Sequence, residues 1–511
     1  MSAIDAHLLS WIIFLPLLGA VALLFLPRNS EAVTRVLTMT VAVADFLLSL
    51  RLLQSFDPHG GFQFVERVAW IPRYGIDYSL GVDGINLWLV ILTTFLAPIV
   101  VLSTWSAIRT RVREFMIFLL LLQVAMLGTL CARDVVLFYI FWEAMLLPMA
   151  LLIGIWGGQR RIYAAIKFVL YTAVGSLLML VAIFYMYGKV GSFALDAFLS
   201  AELSHVEQLW LFGAFALAFA IKVPVFPLHT WLPDAHVEAP TAGSVVLAGV
   251  LLKMGTYGLL RFAIPLFPLA VVAFQPWMAA LGVVGIIYGA LVAMVQRDVK
   301  KLVAYSSVSH LGFVVLGLFA LTTESLAGAM FVMLAHGLST GALFLLVGNI
   351  YERRHTRSIA DFGGLAHAMP IYTFFFLFAT LASIGLPGLS GFVGEFLVLL
   401  GSFQSASLPH AQLWVALAAV GVILSAVYML WMVQRVFFGP NDKPDNQSLS
   451  DLNLREILVM VPLAILIVWM GVYPRPWLAR MEPSLDAVVS AHERAVESHA
   501  AMATLTVEER P

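Results

Sequence analysis

Long apolar runs, each close to the thickness of a bilayer core, follow one another through almost the whole chain, with short polar links between them. A spanning helix needs about 20 predominantly apolar residues. On that measure fourteen segments qualify, at 8–26, 33–53, 84–105, 115–132, 135–153, 162–187, 208–228, 241–262, 277–295, 301–320, 325–350, 370–402, 411–438 and 455–473. The pattern predicts an all-α polytopic membrane protein of about 14 transmembrane helices. The connection between the second and third spans is the longest early one; it carries Gly60-Gly61, and Gly81 to Asn86 leads into the third span. The stretch from Met481 to Pro511 is polar and rich in Glu, Arg and Ala, and reads as a short helix or a disordered tail. The segment before Trp11 has no Lys or Arg, so a cleavable secretory signal is not expected.

Two spans are interrupted. The seventh runs into Lys222-Val-Pro-Val-Phe-Pro-Leu-His-Thr-Trp-Leu-Pro, with prolines at 224, 227 and 233, and the twelfth contains Gly385-Leu-Pro-Gly-Leu-Ser-Gly391. Proline removes a donor and clashes with the preceding turn, and glycine permits turns that a helix cannot make. In hydrocarbon the freed backbone groups survive only against protein or water. One proline kink is ordinary, but two broken helices in register point to a hydrated ion site. The register comes from an internal repeat. Arg133-Asp134-Val135 returns as Arg297-Asp298-Val299, an offset of 164, and Ala220-Ile221-Lys222-Val223-Pro224 matches Ser383-Ile384-Gly385-Leu386-Pro387, an offset of 163. The copies are displaced by five spans, an odd number, so equivalent points lie on opposite faces, which is an inverted-topology repeat. The chain then divides into three N-terminal helices over 1–112, a first repeat of helices 4–8 over 113–262 and a second, inverted repeat of helices 9–13 over 277–438. Residues 439–511 supply the last spanning helix and the polar tail.

Composition narrows the class. Of 511 residues 61% are hydrophobic and 12% charged, whereas an average soluble domain is about 25% charged. Half that density cannot solvate a globular surface. The net charge of −1 offers no basic field for nucleic acid. The single cysteine, Cys131, excludes a disulfide framework, an iron–sulfur cluster held by this chain alone and a multi-thiolate zinc site. With loops assigned to alternating sides, sixteen Lys and Arg, among them Arg109, Arg111, Arg160, Lys300 and Arg357, fall on one side against six on the other, plus four in the tail. The positive-inside rule makes the richer side the cytoplasm and puts both termini outside. A bacterial cytoplasmic membrane with periplasmic termini is expected, ahead of a mitochondrial inner membrane.

Against this scarcity of charge, six titratable groups fall at membrane depth. Glu143 is the ninth residue of the fifth span, Lys253 lies about thirteen residues into the eighth, and His310 and His336 sit deep in the tenth and eleventh. At 1.5 Å per residue each is roughly 12–20 Å deep in a core about 30 Å thick. Lys222 ends the first half of the broken seventh span, and Glu395 lies beyond the break in the twelfth. Each Lys or Asp at such depth costs at least about 2.5–3.5 kcal/mol, so these groups face a polar interior and several pair. Desolvation disfavours the charged form of either sign and a neighbouring opposite charge restores it. A Glu beside a Lys is therefore a switchable pair, and a chain of such groups is what proton translocation requires. A purely structural ion pair, or a neutral core histidine, is the plain alternative at each position. Lys167, five residues into the sixth span, is placed to snorkel, and Asp45 in the second lacks an evident partner. His229, Asp234, His236 and Glu238 belong to the loop after the first break, where a metal site is a remote alternative.

Ala220 to Pro224, then Pro227-Leu-His-Thr-Trp-Leu-Pro-Asp-Ala-His-Val-Glu-Ala-Pro-Thr241 and Leu252-Lys253, resembles the proton-translocating antiporter-like subunits of respiratory complex I. Relatives of that family include multisubunit Na+/H+ antiporters and membrane-bound hydrogenases. The resemblance runs over roughly 115–440 and is strongest to the M branch of the family: Glu395 stands where the L and N branches typically carry Lys, and Ser306-Ser307-Val-Ser-His310 and Ala335-His336-Gly-Leu-Ser match its central helices. It implies that Glu143 and Lys222 form a paired switch, that Lys253, His310 and His336 form the central relay, and that Glu395 is the terminal site nearest the outer exit. It also implies no cofactor in this chain, with FMN, iron–sulfur clusters and quinone in partner subunits. The implied partners are the other membrane-arm subunits, with chains L and N as neighbours, and the lipid bilayer. The competing expectations are a subunit of a multisubunit Na+/H+ antiporter or membrane-bound hydrogenase, and a redox carrier binding haem or quinone, whose bis-histidine haem version at His310 and His336 the nearby Lys and Glu groups disfavour.

Overall fold

The chain is described over residues 6–508 by a computed structural model, and among those residues eleven helices are long and apolar enough to cross a bilayer. The first half runs α1 (Leu8–Leu24), α2 (Glu31–Gln54), an antiparallel hairpin of β1 (Gln63–Ile71) and β2 (Ile76–Val82), α3 (Leu87–Ala107), α4 (Val112–Cys131), α5 (Val135–Ala144), α6 (Leu146–Trp156), α7 (Arg161–Val190), α8 (His205–Lys222), α9 (Trp231–Glu238) and α10 (Thr241–Leu266). The second runs α11 (Pro268–Met294), α12 (Val299–Ala320), α13 (Thr323–Arg354), α14 (Pro370–Ser383), α15 (Ser390–Phe403), α16 (Ala411–Phe437), α17 (Leu454–Val472) and α18 (Arg475–Glu508). The apolar segments read at 208–228 and 370–402 are thus each divided, α8 stopping at Lys222 and α14 at Ser383. A third irregularity, one turn residue at Met145, separates α5 from α6 two positions after Glu143.

Two features depart from the reading of the sequence. The early loop holds the hairpin, with Arg67 opposite Ser79, Val68 opposite Tyr78 and the left-handed Gly75 at its turn. Its buried Glu66 accepts the backbone N–H groups of Leu9 at 2.7 Å and Ser10 at 3.1 Å, so the hairpin caps the otherwise orphaned first turn of α1. The polar tail is a 34-residue helix, α18. Trp477, Met481, Leu485 and Val489 recur every fourth residue, and all four are buried. That stripe lies across the ends of the bundle: Trp477 stacks on Trp88, and Ser484 Oγ accepts the N–H of Gly84 at 3.0 Å.

The two Arg-Asp-Val tripeptides make matching backbone hydrogen bonds. Val135 N–H donates to Phe193 O and Leu195 N–H to Arg133 O, while Val299 N–H donates to Arg357 O and Ile359 N–H to Arg297 O. All four positions shift by 164. Asp134 and Asp298 each cap the helix that follows, α5 and α12. The broken helices match at a different offset. Val225 N–H closes on Ala220 O and Leu386 N–H on Leu381 O, a shift of 161 where the proline alignment gave 163. Each proline therefore stands at its own distance from the closing bond.

The helices differ in surroundings. Apolar windows of α10 and α13 are wholly enclosed by protein and that of α12 almost so, whereas α2, α7, α16 and α17 are mostly exposed, with apolar side chains such as Leu170, Val181, Ile423 and Ile465 outermost. Outer helices present hydrocarbon to hydrocarbon, and the three inner ones are free to carry polar groups.

Candidate functional site

Buried titratable side chains from four helices line up in a row. Lys253 Nζ lies 2.7 Å from His336 Nδ1. The rings of His336 and His310 are edge to face, with centroids 5.9 Å apart. His310 Nδ1 is 2.9 Å from Glu395 Oε1, and its Nε2 is 3.1 Å from Ser383 Oγ. Lys253 comes from α10, His336 from α13, His310 from α12 and Glu395 from α15, so four helices converge on one path. All four side chains are buried. A cavity of about 10 Å³, the size of one water centre, lies among His310, His336, Ser339, Ser383 and Glu395.

Backbone irregularity positions both ends of the row. Residues Leu247–Leu251 and Leu259–Ala263 of α10 are π-helical, and Lys253 sits in the α-helical turn between them. Its ammonium also donates to the carbonyl of Ala248, inside the first π segment. Such one-turn bulges release carbonyls from the i→i+4 ladder and occur often at functional sites. Gly255 makes the close approach possible: a Cβ there would stand 2.7 Å from Phe219 O and 2.8 Å from Val223 N, so α10 rests directly on the broken end of α8. At the other end Gly385, with φ +75°, turns the chain out of α14, and a Cβ on it would lie 3.1 Å from Glu395 Oε2. The carboxylate occupies space that only glycine leaves.

Lys222 and Glu143 are brought near each other but not into contact. Lys222 is buried at the end of α8, its ammonium 5.2 Å from the Trp142 ring centroid and 5.5 Å from that of Phe168. Among the described residues the two close no direct ion pair. Glu143 is half-buried, next to Tyr139 one turn earlier.

The remaining polar residues find separate partners. Lys167 pairs with Asp234 at 2.7 Å, tying α7 to the half-helix α9. Asp45 is fully buried and accepts the Gln123 amide at 2.6 Å, the partner not evident in the sequence. His229 packs against Tyr288 and Tyr305, and Glu238 accepts the N–H of Arg160. His229, Asp234, His236 and Glu238 therefore turn to four different neighbours, and His236 stacks on Phe344. Two contributors to the row were not singled out from the sequence. Ser383 stood in the quoted repeat as a landmark only, and the Ala248 carbonyl depends on a π segment with no compositional mark.

The family described as NADH:quinone oxidoreductase/Mrp antiporter, TM, matches residues 132–427. NADH-quinone oxidoreductase subunit M of Rhodobacter capsulatus is 48% identical over 98% of this chain and 98% of its own length. NADH-ubiquinone oxidoreductase chain 4 of Arabidopsis thaliana is 46% identical over 94% of this chain and 97% of its own. Among solved structures, a chain of respiratory complex I from Thermus thermophilus superimposes with a TM-score of 0.85 at 34% identity, over 94% of this chain and 99% of that one. With the buried Lys–His–His–Glu row, these likenesses make the chain a member of the NADH:quinone oxidoreductase/Mrp antiporter membrane-subunit family, in the branch of subunit M and mitochondrial chain 4.

Proposed function

We propose that this chain is a proton-translocating subunit of the membrane arm of NADH-quinone oxidoreductase, moving protons along Lys253, His336, His310 and Glu395. The observation that carries the reading is the close sequence of these four groups across the enclosed centre of the fold. Each can hold or release one proton, and an amine, two imidazoles and a carboxyl pass it on by exchanging hydrogen bonds with small movements. Glu143 and Lys222 act as the switch that feeds the row: charge on Glu143 favours the ammonium of Lys222, and loss of that charge favours its release. Glu395, at the far end, is the group nearest the outer exit. FMN, iron–sulfur clusters and quinone belong to partner subunits on this reading, and this chain supplies none of the redox chemistry. Moving one proton against 100 mV costs about 2.3 kcal/mol, and that energy arrives from quinone reduction elsewhere in the complex.

The surroundings of Glu143 support lateral partners. It stands half-buried on the side of the bundle beside the exposed Ile140 and Leu147. A carboxylate at bilayer depth does not face hydrocarbon, so a neighbouring membrane-arm subunit covers this face, with chains L and N the proposed neighbours. The repeated backbone ladder supports two inverted five-helix units, and the Arg-rich loops support a cytoplasmic membrane with both termini on the periplasmic side.

Glu143→Gln tests the reading, because the amide keeps shape and hydrogen bonding but carries no proton. In membrane vesicles, with assembly checked by co-purification of the flavin and iron–sulfur subunits, NADH-driven proton movement is expected to fall about tenfold or more. Glu143→Asp should retain a larger share. Undiminished pumping in the assembled Gln variant, or rapid Na+-driven proton exchange without NADH and quinone, overturns it.

A further inference from the structure

Beyond Lys253, α10 runs on towards the hairpin, with Tyr257 one turn later and Arg261 two turns later, about 12 Å along the helix axis. Arg261 Cζ stands 5.6 Å from the Tyr257 ring centroid. Arg261 is paired with Asp83, in the turn between β2 and α3, at 2.5 Å, and both side chains are only 8% exposed. Asp83 Oδ1 also accepts the N–H of Ile85 at 2.9 Å, and the Asp83 N–H donates to Asn86 Oδ1 at 2.8 Å. Asn86 Nδ2 donates to Gly81 O at 3.0 Å and to Leu130 O, at the end of α4, at 2.7 Å. The Tyr257 hydroxyl donates to the same Leu130 carbonyl at 2.9 Å. Phe62, just before β1, completes the cluster: its ring centroid lies 4.9 Å from Arg261 Cζ and 4.5 Å from Arg133 Cζ.

This cluster stands between Lys253 and the face that carries the hairpin. A hydroxyl, a carboxylate and an amide grouped beside a buried amine would by themselves offer a path for water and protons. Here each polar group is committed. The one proton of Tyr257 is held on a backbone carbonyl, Asn86 has no titratable proton, and Asp83 is bound by a guanidinium that neither accepts nor releases a proton at working pH. A second guanidinium, Arg133, shares the Phe62 ring, and its own partner Asp196 is 70% exposed. Two fixed cations therefore face one buried carboxylate at this point, and fixed positive charge at a constriction is an electrostatic barrier to protons. Towards His336, by contrast, Lys253 meets a group that can take part in transfer.

We infer that Arg261, held in place by Asp83, seals the hairpin end of α10 against protons, so that a proton on Lys253 leaves through His336 alone. The seal rests on the relay proposed above and supplies a condition that the relay needs. Without it, protons delivered to the hairpin face would return past Tyr257 to Lys253, and the gradient would dissipate through the same chain that builds it. An ion pair that only ties α10 to α3 predicts something different, a loss of assembly or turnover in membranes that stay tight.

The test uses the whole complex in proteoliposomes and reads two quantities, protons moved per NADH oxidised and passive proton conductance without NADH. Arg261→Gln removes the fixed charge, and Arg261→Gln combined with Asp83→Asn removes it without leaving a lone buried carboxylate. Both are expected to keep NADH–quinone turnover within about twofold of the parent, to move about twofold or more fewer protons per NADH, and to conduct protons severalfold faster at rest. Asp83→Asn alone breaks the ion pair but keeps the cation and an oxygen acceptor, and should leave the ratio at its parental value. Parental ratio and conductance in the two Arg261 variants, or equal leakage in Asp83→Asn, overturn the seal. So does turnover that falls in step with pumping in tight vesicles, or failure of both Arg261 variants to assemble, because the pair is then a structural tie. Glu143→Gln, measured alongside, separates the two ideas. If it is impaired while the Arg261 variants stay coupled, only the seal fails; if it pumps at the parental rate, the relay itself fails.

Discussion

Lys253 concentrates the question of what charge does inside the bundle. Its ammonium has two acceptors, the Ala248 carbonyl and His336 Nδ1, and no carboxylate in contact. A buried cation held only by neutral groups is costly, and His336 Nδ1, 2.7 Å away, is placed to exchange a proton with the amine. Two substitutions separate charge from proton transfer. Lys253→Met keeps much of the volume and removes the amine, while Lys253→Arg keeps the charge but cannot release a proton at working pH. Both are expected to lower NADH-driven proton movement about tenfold or more in assembled complex. If Arg restored the parental rate, Lys253 would be a fixed charge and not a carrier. Asp45 makes the contrast at the same scale, since its carboxyl is held by a single amide away from the row.

Broken helices put these residues where they act. The breaks at Lys222 and Ser383 leave carbonyls and N–H groups that close through the 225–220 and 386–381 bonds, so each half-helix ends without leaving its backbone bare. Two glycines after Ser383 have positive φ, Gly385 at +75° and Gly388 at +92°, but only at Gly385 would a Cβ meet Glu395. An alanine in left-handed geometry costs about 1–2 kcal/mol at either position. Gly388→Ala should therefore cost stability while assembled complex pumps within about twofold of the parent, and Gly385→Ala should slow pumping about tenfold by displacing the carboxylate from His310. Equal effects of the two variants would mean that strain alone, and not the seat of Glu395, limits turnover. The prolines and glycines made both breaks legible in the sequence, as depth did for the six titratable residues. The π segments around Lys253 were not legible. Leu247–Leu251 has ordinary apolar composition and packs against α3 and α13, surfaces that the sequence alone does not show. The strands of the early hairpin and the stripe of α18 were present as spacing, in Trp477, Met481, Leu485 and Val489, but short polar segments beside long apolar ones carry little weight until the partner surface is seen.

At the scale of the whole molecule, enclosed helices form an axis and exposed ones form its coat. That division explains how a chain with only 12% charged residues keeps a titratable row in hydrocarbon: α10, α12 and α13 are shielded by the outer helices, and the breaks in α8 and between α14 and α15 approach its two ends. Three spans, α3, α4 and α5–α6, separate the loop before β1 from the loop after α6, so the two are expected on opposite faces, and the distribution of Lys and Arg predicts the cytoplasm for the second. The single cysteine makes this measurable. Cys131 is buried, so a cysteine introduced at exposed Gln159 or exposed His59 is the reactive thiol in the folded chain. A membrane-impermeant maleimide should label Gln159→Cys in inside-out vesicles and spare it in spheroplasts, and His59→Cys should behave in the opposite way. Labelling of both positions from one side would refute this alternation of the early spans, on which the five-span displacement of the two breaks also rests. Exchange of the two patterns would keep the alternation but reverse the predicted orientation, putting the Arg-rich loops on the outer face.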